Sequence, residues 1–111
     1  VGSGFAAYCA SKAAVTALTK TIALDCAEKG LPIRANTVHP GAIRTPMFER
    51  YLEALPGTDE EVEAMFAANH PMGRVGEAAE VVNAILFLLS DQASFTTGVD
   101  FTVDGGGHFR S

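Results

Sequence analysis

Tryptophan is absent, cysteine occurs only twice, and eight basic side chains face thirteen acidic ones in a chain of 111 residues. The resulting net charge of −5 argues against a nucleic-acid partner, which would select for a basic face. No apolar run approaches the ~18 residues that a membrane-spanning helix needs, so no membrane partner is expected. The chain opens Val-Gly-Ser-Gly with neither a basic leader region nor a cleavage motif, so no secretory signal is expected. Cys9 and Cys26 fall in one helical stretch, where seventeen residues at ~1.5 Å each set them about 25 Å apart. A disulfide tolerates roughly 7 Å between Cα atoms, so these two cannot bridge each other. An intermolecular bridge is the alternative; free thiols in a reducing compartment, the cytoplasm, are the simpler expectation.

What the chain does have is apolar content. Hydrophobic residues make up 48% and charged residues 19%, a balance that argues for a packed core and against disorder. The length allows one domain or part of one. Phe5–Glu28 contains no Pro or Gly and is rich in Ala, Leu and Lys, which predicts a long helix stopped at Gly30. Its first half, to Ala14, is apolar almost all round and is expected to be covered on two sides. Ile33–Val38 reads as a strand ended by His39-Pro40-Gly41. Pro46 can open a short helix carrying Met47, Phe48, Tyr51 and Leu52. Thr58-Asp59-Glu60-Glu61 fits a capping box for another, running to about Asn69, with His70–Gly73 as a break. Glu77–Leu89 predicts a strong helix whose buried side is Val81, Val82, Ile85, Leu86, Leu88 and Leu89, and Val99–Val103 alternates as a strand does.

Helix, strand, insertion, helix, strand is a βαβ series without its first strand. Two parallel strands cannot bury both faces of a sheet alone. The expected fold is therefore α/β, the C-terminal part of a doubly wound parallel sheet.

Tyr8 and Lys12, four apart on a helix, share one face. A free phenol ionises only near pH ~10, and an adjacent ammonium favours the phenolate, making a usable proton donor and acceptor. Such pairs also occur by chance on solvated helix faces. The setting favours chemistry here, because an uncompensated lysine in an apolar, Ala-rich segment is costly. His39, His70 and His108 lack metal-ligand spacing, and each is expected to be a surface or turn residue; no metal site is expected.

Four stretches carry a family resemblance. Tyr8-Cys9-Ala10-Ser11-Lys12 with Ala13-Ala14-Val15 resembles the YxxxK helix of the short-chain dehydrogenase/reductase family. Ile33 to Gly41, with Thr45 beyond, resembles its IRVNxVxPGxxxT segment. Met72–Gly76 and Phe87–Gly98, ending in Val103-Asp104-Gly105-Gly106, resemble its C-terminal signature. The resemblance implies a Rossmann-type NAD(P)-binding domain of which residues 1–111 are the C-terminal half, with a mobile substrate lid at about 44–70. It implies that Tyr8 exchanges a proton with the substrate oxygen. Lys12 would assist Tyr8 and bond the nicotinamide ribose. Pro40 and Gly41 would form the cofactor-facing turn, Ile43 would offer backbone bonds to the carboxamide, and Thr45 would contact the cofactor nearby. The turn lies at the carboxyl end of a strand, where open α/β sheets bind ligands.

The implied function is NAD(P)-dependent interconversion of a secondary alcohol and a ketone, with NAD or NADP as cofactor. The apolar lid suits an apolar alcohol or ketone. The family's common pairing through the helices that correspond to Phe5–Glu28 and Glu77–Leu89, and through the last strand, implies a homo-oligomer, a tetramer. Two expected parts are missing from the chain: the Gly-rich phosphate turn, for which Gly2-Ser3-Gly4 lacks the preceding strand, and the family's catalytic serine, whose position neither Ser3 nor Ser11 matches. The alternative is therefore a catalytically silent structural or assembly module.

Overall fold

A computed structural model describes residues 3–110. Helix α1 (Ser3–Glu28) leads to strand β1 (Thr37–Pro40), strand β2 (Ile43–Arg44), helices α2 (Pro46–Ala54) and α3 (Asp59–Ala67), strand β3 (Gly76–Glu77), helix α4 (Ala78–Leu89) and strand β4 (Asp100–Val103), with a short 3₁₀ turn at each side of β4. Strands β1 and β4 form one two-stranded sheet, β2 and β3 another. The β2–β3 pair is parallel, Ile43 opposite Gly76 and Arg44 opposite Glu77. The chain divides into two compact units, 1–37 with 90–101 and 38–89 with 102–111.

In the first unit, α1 is one uninterrupted helix, as the lack of Pro and Gly from Phe5 to Glu28 predicts, and it begins two residues earlier than that stretch. It stops where Gly30 turns left-handed (φ +67°) and the Leu31 N–H reaches back to the Cys26 carbonyl at 2.9 Å. Ala23 and Cys26 are buried, and Gly98 lies close enough to Ala23 that an added Cβ would touch it at 3.5 Å. Cys9 is exposed and Cys26 buried, and both thiols are free. The expected two-sided cover over the start of α1 is not supplied within the chain: Ala6–Ala14 are exposed.

The strand expected at Ile33–Val38 is instead β1, Thr37–Pro40. The reason lies in side chains that occupy ladder positions. The Ala35 N–H donates to Thr97 Oγ1 at 3.1 Å, and the Val99 N–H donates to Asn36 Oδ1 at 3.0 Å, so the backbone ladder starts only at Thr37, whose N–H meets the Val99 carbonyl at 2.9 Å. Arg34 adds bonds to the carbonyls of Thr96 and Ser90, both at 3.2 Å, and so fastens the loop before β4.

The second unit is built around α2, α3 and the β2–β3 pair. Thr45 caps α2, its Oγ1 accepting from the Phe48 N–H at 3.3 Å, with Pro46 at the first helical position. Thr58 caps α3 in the same way through the Glu61 N–H (3.2 Å), as the Thr-x-x-Glu spacing predicts. Helix α3 ends at Ala67, two residues before the expected limit. Phe48 is buried against Phe66 (centroids 5.5 Å apart, edge on), and Tyr51 stacks beside Phe66 at 5.6 Å.

Helix α4 starts at Ala78, and its buried residues are Ala84 and Leu88, with Val82, Ile85, Leu86 and Leu89 exposed. The expected buried side is thus largely turned outward: a helix apolar nearly all round does not declare in its own sequence which stripe will be packed. Among the described residues, no helix is long and apolar enough to cross a membrane.

Candidate active site

Tyr8 and Lys12 lie in the first unit and the Pro40–Thr45 segment in the second, so each is described in its own surroundings. One turn of α1 separates Tyr8 from Lys12, and the Lys12 Nζ stands 5.3 Å from the centre of the Tyr8 ring. That is within the range of a cation–π contact and leaves the ammonium beside the phenol, as the spacing predicts. Both side chains are exposed, Tyr8 by 57%. Lys12, expected in a covered apolar segment, reaches solvent in the chain itself. Ser11 is tied to its own helix, donating to the Tyr8 carbonyl at 2.8 Å.

In the second unit, β1 ends at Pro40 and the chain passes through Gly41 and Ala42 into β2. Gly41 lies flat on its neighbours. A Cβ there would come within 2.7 Å of His70 Cε1 and 2.9 Å of the Asp104 Cα. Its N–H donates to the Val103 carbonyl at 2.9 Å, which holds the turn on the end of β4. The Ala42 N–H donates to His70 Nε2 at 3.2 Å, and the Ala42 carbonyl accepts from the Gly76 N–H at 2.9 Å. In a parallel ladder the backbone groups of successive residues alternate in direction. With Gly76 bonded to Ala42 and opposite Ile43, the N–H and C=O of Ile43 turn to the side away from β3.

That orientation fits an exogenous amide, which needs one donor and one acceptor side by side. Thr45 Oγ1 accepts from Phe48 while its O–H keeps a donor. A cavity of about 420 Å³ in this unit is lined by Ile43, His70, Met72, Asp104, His108 and Phe109 among others. Of the six residues singled out from sequence, Ile43 alone lines it.

The sequence reading missed two features of this unit. Arg44 is the hub of an ion-pair set, bonded to Glu63 and to Glu77 (Nε to Oε1, 3.3 Å), with its guanidinium over the Phe48 ring at 5.6 Å. Its hydrogen bond to Glu63, foremost, raises its pKa above that of an ordinary arginine. Arg74 grips Glu80 with two bonds, 2.8 and 3.0 Å, and the Glu80 carboxylate also takes the Glu77 N–H at the start of α4. Arg74, then that backbone donor, pull the Glu80 carboxyl down to about 2. The i, i+3 relation of Glu77 to Glu80 is a helix-start signal that could have been read.

His70 lies in the turn segment after α3, one of the two places expected for it, but it is not at the surface: it is buried, with 9% of its surface exposed. At the far end of β4, Asp104 accepts from the N–H groups of Gly106 and His108 (3.0 and 2.8 Å) and from the His108 ring. Burial pushes its carboxyl up, but the bonds from His108 and Gly106 outweigh this and hold it below the ordinary range.

The profile of a family described as Enoyl-(Acyl carrier protein) reductase matches residues 1–108. The chain belongs to the short-chain dehydrogenase/reductase family. Among curated members, it is 43% identical to the NADP-dependent (R)-specific alcohol dehydrogenase of Lentilactobacillus kefiri, over 90% of this chain and 37% of that protein. It is 48% identical to the cyclohexanol dehydrogenase of an Acinetobacter species, over 88% of this chain and 34% of that protein. The ligand-free structure of Thermoplasma acidophilum aldohexose dehydrogenase superposes with a TM-score of 0.84 at 39% identity, covering all of this chain and 44% of that one. The chain thus spans little more than a third of the curated relatives it matches. Its fold is the corresponding part of the family's Rossmann-type domain.

Proposed function

We propose that the protein carrying this chain is an NAD(P)-dependent oxidoreductase interconverting a secondary alcohol and a ketone, with Tyr8 as the acid/base. The observation that supports this most is the Tyr8–Lys12 pair, phenol and ammonium on one helix face with Nζ 5.3 Å from the ring centre. The relatives named as alcohol and cyclohexanol dehydrogenases point to the same chemistry.

The residues present suit a nicotinamide cofactor: Lys12 offers an ammonium to ribose hydroxyls, and the outward N–H and C=O of Ile43 suit the carboxamide. Pro40 and Gly41 shape that turn, and the Thr45 hydroxyl lies two residues on. The cofactor, when bound, supplies or takes up the hydride. In the reducing direction the Tyr8 Oη would give its proton to the carbonyl oxygen, which becomes the hydroxyl oxygen of the alcohol. In the oxidising direction the same oxygen takes the hydroxyl proton, and the Lys12 ammonium stabilises the phenolate that results. Helices α2 and α3, with exposed Met47, Tyr51 and Met65, form the apolar cover over a substrate such as a cyclic alcohol. The protein works as a homo-tetramer in the cytoplasm, which gives the exposed apolar residues of α1 and α4 a cover.

The test is full-length protein with NAD or NADP and a panel of secondary alcohols that includes cyclohexanol, followed at 340 nm. Alcohol-dependent formation of reduced cofactor is expected. A correctly folded protein that binds neither cofactor and turns over no member of the panel refutes the proposal in favour of a silent assembly module.

A further inference from the structure

His70 is the buried polar residue among those described. Its ring occupies a slot between two glycines far apart in sequence. A Cβ on Gly41 would approach Cε1 to 2.7 Å, and one on Gly107 would approach Nδ1 to 2.7 Å. A flat ring therefore fits there, and it has one polar anchor: Nε2 accepts the Ala42 N–H at 3.2 Å. A ring nitrogen that accepts carries no hydrogen, so the proton sits on Nδ1 and the ring is neutral. Nδ1 is buried with no hydrogen-bond partner among the described residues. Burying such a donor carries a desolvation cost that an apolar ring of the same shape would avoid. Packing alone does not favour histidine here; the bond to Ala42 does.

Ala42 is held on both sides, its N–H by His70 and its C=O by the Gly76 N–H at 2.9 Å. The first bond fixes the Gly41–Ala42 peptide and the second the Ala42–Ile43 peptide, so together they set the φ and ψ of Ala42 and with them the course of the chain into Ile43. We propose that His70 is a positioning residue: by holding the Ala42 N–H it fixes the direction of the Ile43 backbone groups toward the nicotinamide carboxamide. This rests on the functional reading above. His70 does not touch the reacting atoms; it acts through Ala42.

The experiment compares His70→Phe, His70→Leu and His70→Gln in the full-length protein, with folding checked by thermal melting. Phe keeps the ring without the acceptor, whereas the Gln side chain can bring Oε1 to the place of Nε2. Hydrogen exchange of the 40–44 segment without cofactor should quicken about tenfold in the Phe and Leu variants and return toward wild type in Gln. The dissociation constant for reduced cofactor, followed by its fluorescence, should rise about tenfold in Phe and Leu and stay within about threefold in Gln. The rate at saturating cofactor should change by less than about threefold in all. Unchanged exchange and affinity in a folded Phe or Leu variant overturns the proposal. If neither apolar variant folds, Gln decides, and a tenfold loss of affinity in folded Gln overturns it equally. Wild-type protein that binds no cofactor refutes the functional reading instead, and the exchange contrast, which needs no cofactor, tells the two failures apart.

Discussion

Replacing Gly41 by Ala adds one methyl group at the most crowded point of the candidate cofactor turn. Its Cβ would stand 2.7 Å from His70 Cε1, 2.8 Å from Asp104 Cβ and 2.9 Å from Asp104 Cα. Carbon atoms rest at about 3.5–4.0 Å, so each contact is short by roughly 0.6–1.3 Å. The histidine ring cannot swing aside freely, because Gly107 closes the other side of its slot. The Asp104 Cα is backbone at the end of β4, fastened to the turn by the bond from the Gly41 N–H to the Val103 carbonyl. Relief must therefore come from the turn itself. Overpacking of this kind costs about 1–3 kcal/mol, and loss of the His70–Ala42 bond adds about 1 kcal/mol. Equilibrium urea unfolding of the full-length protein at fixed concentration should show a loss of about 2–4 kcal/mol. Cofactor affinity should fall with it, since Ile43 follows directly. A cycle with His70→Ala sharpens the test: removing the ring relieves one clash and leaves both Asp104 contacts, so the double variant should lose less than the sum of the singles. Stability within about 0.5 kcal/mol of wild type in Gly41→Ala would refute this packing argument.

Two further outcomes follow from other parts of the molecule. Lys12→Met should weaken cofactor binding and turnover together, because the ammonium offered to the ribose hydroxyls and placed beside the Tyr8 ring is lost; unchanged affinity with an unchanged rate would make Lys12 a surface residue. The Glu80 carboxyl is held at about 2, chiefly by Arg74 and then by the Glu77 N–H, against an ordinary value near ~4.3, so its stabilising contribution is complete above that ordinary value and is lost as pH falls toward 2. Unfolding midpoints measured down that range should therefore drop more steeply in wild type than in Glu80→Gln, less so in high salt because the pair is exposed; parallel curves would contradict the assignment.

Much of the backbone was legible in the sequence, for local reasons. The unbroken α1, the Thr58 cap and the helix opened by Pro46 depend on neighbours within a few positions. Strand β1 was displaced from the expected Ile33–Val38 because Asn36 and Thr97 spend their side chains on ladder positions, a choice no alternation pattern records. Strands β2 and β3 have two residues each, too short for periodicity to register. The Tyr8–Lys12 pair was legible because a helix fixes i, i+4 neighbours. Thr45 as a helix cap was also open to reading, from a threonine directly before proline. The burial of His70 was not, since its slot is made by Gly41 and Gly107, which meet only in the fold. For α4, apolar nearly all round, the packed stripe of Ala84 and Leu88 was chosen by partners rather than by its own pattern.

The most direct test of the proposed chemistry is Tyr8→Phe in the full-length protein, which removes the transferable proton and keeps the ring. Turnover of a secondary alcohol should fall by at least about 10²-fold, in line with the size of general acid–base contributions, while the dissociation constant for reduced cofactor stays within about threefold. A Tyr8→Phe variant that retains more than about half of the wild-type rate would contradict the role given to Tyr8 and, with it, the proposed mechanism.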